Sequence, residues 1–133
     1  MRRALLVALL LAACAAPSGA PVDECDASWR AVESLIVTPG GAEPRAVPIE
    51  CIRRIDERRI RIGFLMPAGP SCYRLSAVEV VEGADAVSIA LIASRDDNPA
   101  AGTCPEEAPR STTEIDLAAP VADRALLDGS AGE

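Results

Sequence analysis

Residues 59–64 read Arg-Ile-Arg-Ile-Gly-Phe, and this alternation of polar and apolar residues decides the fold class. A period of two places Ile60, Ile62 and Phe64 on one face of an extended chain and the two arginines on the other. One face can then enter a core while the arginines stay in water. The segment is therefore predicted to be a half-buried β-strand.

Similar β-forming segments flank this one and are separated by turn residues. Residues 86–93 return from residues 73–81 through a turn at residues 82–85, which predicts a hairpin. The predicted strands are Ile49–Ile55, Arg59–Phe64, Tyr73–Val81, Ala86–Ala93 and Thr112–Leu117, with a closing strand or edge within Ala125–Gly129. Short strands spaced by turns predict a mainly β fold, a small antiparallel sandwich-like domain.

The segment before these strands is less regular. Residues 28–38 fit either a first strand or a short helix, and Trp29 is expected to anchor the core or its edge. Pro44 and Pro48 predict that the following stretch is extended and irregular.

The N-terminus has three zones in the order found in exported bacterial proteins. Arg2 and Arg3 precede an apolar run, Ala4–Leu11, that is too short to span a bilayer as a helix. The next residues, Leu11-Ala12-Ala13-Cys14, resemble the lipobox of bacterial lipoproteins. The resemblance implies a diacylglyceryl group on the sulfur of Cys14 and cleavage just before it. Two other interpretations remain, an ordinary secretory signal cut at Ala13-Cys14-Ala15 and a mis-assigned start.

The lipobox resemblance implies a simple domain organisation. Residues 1–13 are a signal peptide, and residues 14–27 are the lipidated cysteine and a flexible tether rich in Ala, Pro, Ser and Gly. Residues 28–129 form the β-rich domain, and residues 130–133 form a loose tail. The protein is then extracytoplasmic and held by its lipid on the cell membrane, or on the outer membrane of a Gram-negative host.

Five cysteines fit this compartment: Cys14, Cys25, Cys51, Cys72 and Cys104. With Cys14 lipidated, four remain, which is the even number expected of a two-disulfide domain in an oxidising environment. Four cysteines allow three pairings. Cys25–Cys51 with Cys72–Cys104 is favoured, because each bridge would close a loop of moderate size. A metal site is disfavoured, because no pair has CxxC spacing and histidine is absent.

From Gly69 onward the chain is similar to a recurring type of uncharacterised exported bacterial protein, often actinobacterial. The similar segments are Ser71-Cys72-Tyr73, Val78–Glu82, Asp85–Leu91, Cys104 with Ser111–Glu114, Leu117–Pro120 and Asp123–Gly129. The resemblance implies a secreted or lipidated β domain with a bridge like Cys72–Cys104. It implies no activity, cofactor or catalytic residue.

Composition narrows the classes of function. Twenty acidic residues face thirteen arginines, for a net charge of −7, and there is no lysine or histidine. An acidic chain argues against nucleic-acid binding. The missing histidine and lysine remove most general bases and nucleophile partners, so no enzyme activity and no cofactor are expected. A carboxylate-dependent hydrolase using Asp96, Asp97, Glu106 or Glu107 is a remote alternative, because these are expected to be solvated loop charges.

Arginines cluster around the central alternating strand: Arg53, Arg54, Arg58, Arg59 and Arg61. A basic stripe on an acidic domain could bind an envelope protein or a phosphate-bearing envelope polymer, with Arg53, Arg59 and Arg61 as the candidate binding residues. The competing interpretation is a solvated face whose arginines pair with nearby carboxylates. The predicted function is a lipid-anchored, non-enzymatic binding module, and the alternative is a structural or accessory lipoprotein without a ligand.

Overall fold

A computed structural model describes residues 16–67, 72–96, 104 and 108–132. The protein is mainly β, with two sheets packed face to face. Its strands are β1 (Ala20–Pro21), β2 (Ala42–Val47), β3 (Ile49–Arg54), β4 (Arg59–Leu65), β5 (Tyr73–Glu82), β6 (Ala86–Arg95), β7 (Arg110–Asp116) and β8 (Ala125–Asp128). Within these described ranges, no helix is both long and apolar enough to cross a membrane.

The larger sheet is organised around β6. The predicted hairpin is present, with β5 antiparallel to β6 and a turn closed by a hydrogen bond from the Gly83 N–H to the Ala86 carbonyl. On its other side, β6 pairs with β8 near its start and with β2 near its end, and β1 extends the sheet beyond β8. The predicted sandwich-like β fold is confirmed. Its β6–β8 pair is parallel, whereas the other strand pairs of the described residues are antiparallel.

The smaller sheet contains β3, β4 and β7 in that order, all antiparallel. The turn between β3 and β4 is held by Asp56, whose side chain accepts hydrogen bonds from the N–H groups of Arg58 and Arg59 at 3.0 and 2.9 Å. These bonds hold the pKa of the Asp56 carboxyl below its ordinary value. An aspartate that bonds its own following backbone is a common way to close such a turn.

The core lies between the sheets and confirms the alternation that predicted β4. Ile60, Ile62 and Phe64 are fully buried, as are Val87, Ile89 and Leu91 on β6. Leu117 and Val121 close one end of the same cluster. The core is almost entirely aliphatic, with Phe64 as its one aromatic side chain among the fully buried residues of the described ranges.

A bulge changes the phase of β5. The pairing runs from Leu75 opposite Ala93 to Ala77 opposite Ile92, so Ser76 is the extra residue. Beyond the bulge, Val78 faces Leu91 and packs against the core, so the core side changes from the odd-numbered position of Leu75 to an even-numbered one. A bulge shifts every later side chain by one position, which a strict period of two cannot foresee.

The stretch around Pro44 is a strand rather than irregular chain. β2 pairs with β6, but its register shifts between Ala42 and Arg45, and Glu43 adopts a φ of 51°. Pro44 therefore lies in a bulge on a strand bordering the sheet, where the missing N–H costs no ladder hydrogen bond.

Where they are described, the segments predicted as tether and tail contain regular backbone structure. In the segment predicted as a flexible tether, Ala20–Pro21 pairs with β8 and Glu24 bridges to Ile52. Residues 28–38 contain one 3₁₀ turn, Ala27–Trp29, and then a bridge from Ser34 to Thr112. The predicted tail contains a second 3₁₀ turn, Gly129–Gly132. Backbone pairing, which composition does not encode, orders these segments.

Both favoured disulfides are confirmed, Cys25–Cys51 and Cys72–Cys104. They close loops with sequence separations of 26 and 32 residues. Loops of this size correspond to about 3.5 kcal/mol of stabilisation each in the chain-entropy picture. The first bridge attaches the N-terminal segment to β3, and the second attaches the start of β5 to the loop that leads to β7.

Candidate functional site

The outer face of the smaller sheet holds the candidate binding residues. Since Ile60 and Ile62 point into the core, Arg59 and Arg61 point to the opposite side of β4. Trp29 covers part of this surface. We call this outer surface the arginine face. It consists of Trp29 and the charged side chains around the indole: Asp26, Arg30, Arg53, Arg59, Arg61, Arg110, Glu114 and Asp116.

Trp29 is buried against this face rather than in the core between the sheets. Gly63 makes room for it: a Cβ there would lie 2.8 Å from the indole ring and 2.7 Å from the sulfur of Cys51. The guanidinium of Arg110 stacks over the indole, 4.5 Å from the ring centroid. The indole, the Cys25–Cys51 bridge and the stacked guanidinium form a small second cluster outside the main core.

Asp26 fixes the turn that presents Trp29. Its carboxylate accepts a hydrogen bond from the Ser28 N–H at 2.9 Å and another from the Ser28 hydroxyl. These bonds hold the pKa of the Asp26 carboxyl below its ordinary value. The same Ser28 hydroxyl accepts a hydrogen bond from Arg110 at 2.8 Å, so the turn and the stacked arginine support one another.

Two of the three predicted binding arginines have carboxylate partners on β7. Arg59 donates to Asp116 at 2.9 Å, and Arg61 donates to Glu114 at 2.9 Å. The hydrogen bond to Asp116 raises the pKa of the Arg59 guanidinium above its ordinary value. The pairs form across adjacent strands, where opposite charges stabilise a sheet. The partners are Asp116 and Glu114 on β7, and not the carboxylates near Arg59 in sequence.

Two other members of the sequence cluster serve the fold. Arg54 donates to the carbonyls of Ala122 and Arg124, at 2.7 and 3.4 Å. Arg58 donates to the carbonyl of Ala118 at 3.3 Å. Both therefore hold the loop between β7 and β8 against the β3–β4 hairpin.

Arg53 and Arg30 differ from these arginines. Among the described residues, neither side chain lies within 4.0 Å of a carboxylate. Arg53 lies directly opposite Arg61 in the β3–β4 register, and both line a recess of about 10 Å³ beside Trp29, together with Arg30. A recess of this size cannot hold a small molecule, so contact with a partner would take place on the surface.

The sequence did not identify Arg30 and Arg110 as members of this site. They lie far from the arginine cluster along the chain. The β4–β7 register places Arg110 on this face, and the docking of Trp29 on Gly63 brings Arg30 to it. Gly63 within a strand was the one available signal, because a glycine there marks a close approach of another group.

A larger cleft of about 390 Å³ opens where the edges of the two sheets meet. It is lined by Val22, Glu24, Ile52, Arg54 and Leu126. Three of these side chains are apolar, and the guanidinium of Arg54 is already bonded to two backbone carbonyls. The cleft therefore offers one carboxylate, Glu24, as its remaining charged group.

The proposed acid–base residues are only partly described. Asp96 accepts a hydrogen bond from Arg74 at 2.6 Å and is thus engaged in an ion pair. Asp97, Glu106 and Glu107 lie outside the described residues, as do Cys14 and the rest of the lipobox. Within the part of the chain that is described, no three His, Cys, Asp or Glu side chains cluster as metal ligands.

A partly buried ion pair joins Glu82 to Arg124. The Glu82 carboxylate accepts from Arg124 at 3.0 Å and from the N–H groups of Ala118 and Ala119 at 2.8 and 3.3 Å. Burial by itself raises the pKa of the Glu82 carboxyl, but these hydrogen bonds outweigh it and the net shift is downward. Arg124 also donates to three carbonyls, those of Gly83, Ala119 and Pro120. The pair has a structural role, because it fixes the loop before β8 to the β5–β6 hairpin.

Comparisons with protein-family models, with curated proteins and with solved structures found no match to this chain.

Proposed function

We propose that this chain is a lipid-anchored, extracytoplasmic interaction module that binds an anionic partner of the cell envelope through the arginine face. The observation that carries the proposal is the excess of guanidinium groups around Trp29. Five arginines and three carboxylates make up this face, whereas the whole chain has a net charge of −7. A positively charged face on an acidic domain favours one sign of partner.

The location rests on the sequence of the N-terminus and is supported by the two disulfides. Both bridges form between cysteines that would stay reduced in most cytosols. The fifth cysteine, Cys14, is the lipidated residue in this proposal, and two acyl chains would give stable membrane attachment.

The chemistry of the face suits carboxylate or phosphate groups. A guanidinium offers planar, paired donors that match both groups. Arg53 and Arg30 are the residues available for such contacts, since Arg59 and Arg61 already bind Asp116 and Glu114. Because the surface is shallow, the ligand is an extended anionic chain and not a small metabolite.

Binding is tested with two defined polymers, poly-glutamate for carboxylate and a poly(glycerol phosphate) for phosphate. We expect the Arg30→Gln/Arg53→Gln protein to bind the preferred polymer at least about tenfold more weakly, since charge-assisted bonds contribute roughly 1.5–3 kcal/mol each. Arg45→Gln is the matched control, because Arg45 is exposed on β2, away from the arginine face, and likewise has no carboxylate partner among the described residues.

Three results would contradict the binding proposal: no binding of either polymer, equal weakening by Arg45→Gln, or binding that is insensitive to salt. The cross-strand pairing of Arg59 and Arg61 would then favour the second candidate, an accessory lipoprotein whose arginines only stabilise its sheet.

The anchor is tested by the intact mass of the protein extracted from its native membrane. We expect a diacylated species that begins at Cys14 and gains four alkyl groups only after reduction. A mass without lipid would make the protein freely secreted, and free thiols before reduction would contradict the disulfides.

A further inference from the structure

The first residues of the described chain are bound closely to one end of the sandwich. The Ser18 carbonyl accepts a hydrogen bond from the Ser88 hydroxyl at 2.6 Å. Gly19 has a φ of +131°, and a Cβ there would lie 2.0 Å from the Asp128 carbonyl oxygen. Pro17 packs on Gly83 so closely that a Cβ on that glycine would lie 2.7 Å from the proline ring. The N-terminal segment therefore leaves the domain beside the β5–β6 turn.

Three loops meet at this end, which we call the hairpin end and define by residues 56–58, 82–85 and 117–124. The Leu117 and Val121 N–H groups donate to the carbonyls of Arg58 and Glu57, both at 2.7 Å. Glu82 and Arg124 join the other two loops. The opposite end of the sandwich holds Cys72, Asp96 and the Pro39 carbonyl. The two ends are about 30 Å apart, which is the length of the ten-residue strand β5 that runs between them.

Only a short piece of chain separates the proposed lipid from this end. Cys14 precedes Pro17 by three residues, which span at most about 11 Å when fully extended. The sequence alone predicted a tether through residue 27, more than four times as long. With residues 17–25 paired to the domain, that freedom is lost, and Cys25 is further fixed by its disulfide to Cys51.

We propose that the lipid on Cys14 holds the domain upright on the membrane, with the hairpin end facing the lipid headgroups and the Pro39 end pointing away. This inference rests on the proposed lipid anchor. The arginine face then forms a side wall, because the strands that carry it run from the hairpin end to the far end. Arg110, at the start of β7, lies farthest from the bilayer on that wall.

Charge keeps the hairpin end from inserting into the bilayer. The hairpin end exposes Asp56, Glu57, Asp85 and Asp123 and one arginine without a carboxylate partner among the described residues, Arg58. Anionic lipids repel such an end, but the Debye length is about 8 Å at physiological salt, shorter than the tether. The hairpin end therefore stays near the headgroups without inserting.

The orientation is tested by energy transfer to a headgroup acceptor in vesicles of zwitterionic lipid with a minority of anionic lipid. A fluorescent amino acid replaces Ala84 at the hairpin end or, in a second lipidated protein, Ala42 at the far end. Both alanines are exposed, so neither replacement disturbs the core. We expect transfer at position 84 to exceed transfer at position 42 about twofold or more, because their heights differ by roughly 30 Å.

A longer tether is the matched control. An insertion of about twelve Gly and Ser residues between Ala15 and Ala16 adds roughly 20 Å of random coil and should remove most of the difference. Equal transfer at both positions with the native tether would overturn the orientation while leaving the anchor intact. Failure of the protein to float with vesicles, and of its mass to include lipid, would overturn the anchor and the orientation together.

Discussion

Gly63 shows how one residue can decide where a surface cluster forms. The absence of a side chain there lets the indole of Trp29 and the sulfur of Cys51 approach β4 from outside the core. Without that approach, Arg30, which directly follows Trp29, would not join Arg53 on the same face. The space at Gly63 therefore links the packing of the sheet to the proposed binding surface.

Replacing Gly63 should thus destabilise the protein and disturb the arginine face. Gly63→Val inserts atoms where neither the ring nor the disulfide can move freely, and overpacking of this kind costs about 1–3 kcal/mol. Denaturant unfolding followed by circular dichroism is the measurement, because Trp29 is the only tryptophan and two of the variants lack it. Combining Gly63→Val with Trp29→Leu should cost less than the sum of the two single changes. Strict additivity would show that Gly63 and Trp29 do not pack together.

At the scale of elements, the loop before β8 is stabilised mainly by polar contacts. Its residues contribute two apolar side chains to the core, Leu117 and Val121. It is also held by hydrogen bonds from Arg54, Arg58 and Arg124, by bonds to Glu82, and by backbone bonds to the β3–β4 turn. The loop positions β8, whose parallel pairing with β6 completes the larger sheet.

Glu82 should make stability depend on pH in the acid range. The pKa of Glu82 is lower in the folded state than in the unfolded chain, so the unfolded chain takes up the proton first as the pH falls. Glu82 therefore makes its full contribution to the free energy of unfolding above the ordinary pKa of 4.5. That contribution is lost as the pH falls from there through the folded-state pKa. Glu82→Gln should cost about 2 kcal/mol at neutral pH, since it breaks a partly buried pair, and much less at pH 3.

The measurement is the free energy of unfolding from urea titrations at both pH values. Glu79→Gln, an exposed carboxylate on the same strand, is the control and should change little at either pH. The same loss for Glu82→Gln at both pH values would contradict a charge-dependent role for the pair.

For the whole molecule, the folded domain begins earlier in the chain than the sequence predicted. The sequence placed it at Ser28, but β1 and Cys25 precede that residue and belong to the sandwich. Val22 packs against the core cluster, and the Asp23 carbonyl accepts a hydrogen bond from the Ile52 N–H at 2.9 Å. The domain therefore includes the segment that joins it to the proposed anchor.

A protein that begins at Ser28 should be less stable than one that begins at Ala16. It loses one disulfide, worth about 3.5 kcal/mol, and uncovers the edge of β8. Thermal unfolding of the two proteins gives the comparison, and thiol titration should find one free cysteine, Cys51, in the shorter one. A third protein, beginning at Ala16 with Cys25→Ser and Cys51→Ser, separates the two losses. Equal melting temperatures for all three would restore the boundary at Ser28.

The sequence by itself determined the fold class, most strand positions and the core side of β4. These depend on local alternation, which burial enforces residue by residue. It also favoured both disulfides, because each closes a loop of moderate size, but it left the other two pairings open. The structure contains both bridges, Cys25–Cys51 and Cys72–Cys104.

Only the tertiary structure decided which distant groups meet. The parallel pairing of β6 with β8, the bulge at Ser76 and the β7 partners of Arg59 and Arg61 each depend on strand register. A period of two gives each strand a face but gives it neither a neighbour nor a register. For the same reason, the N-terminal segment looked like a tether from its composition, and its pairing with β8 became visible only once the sheet was assembled.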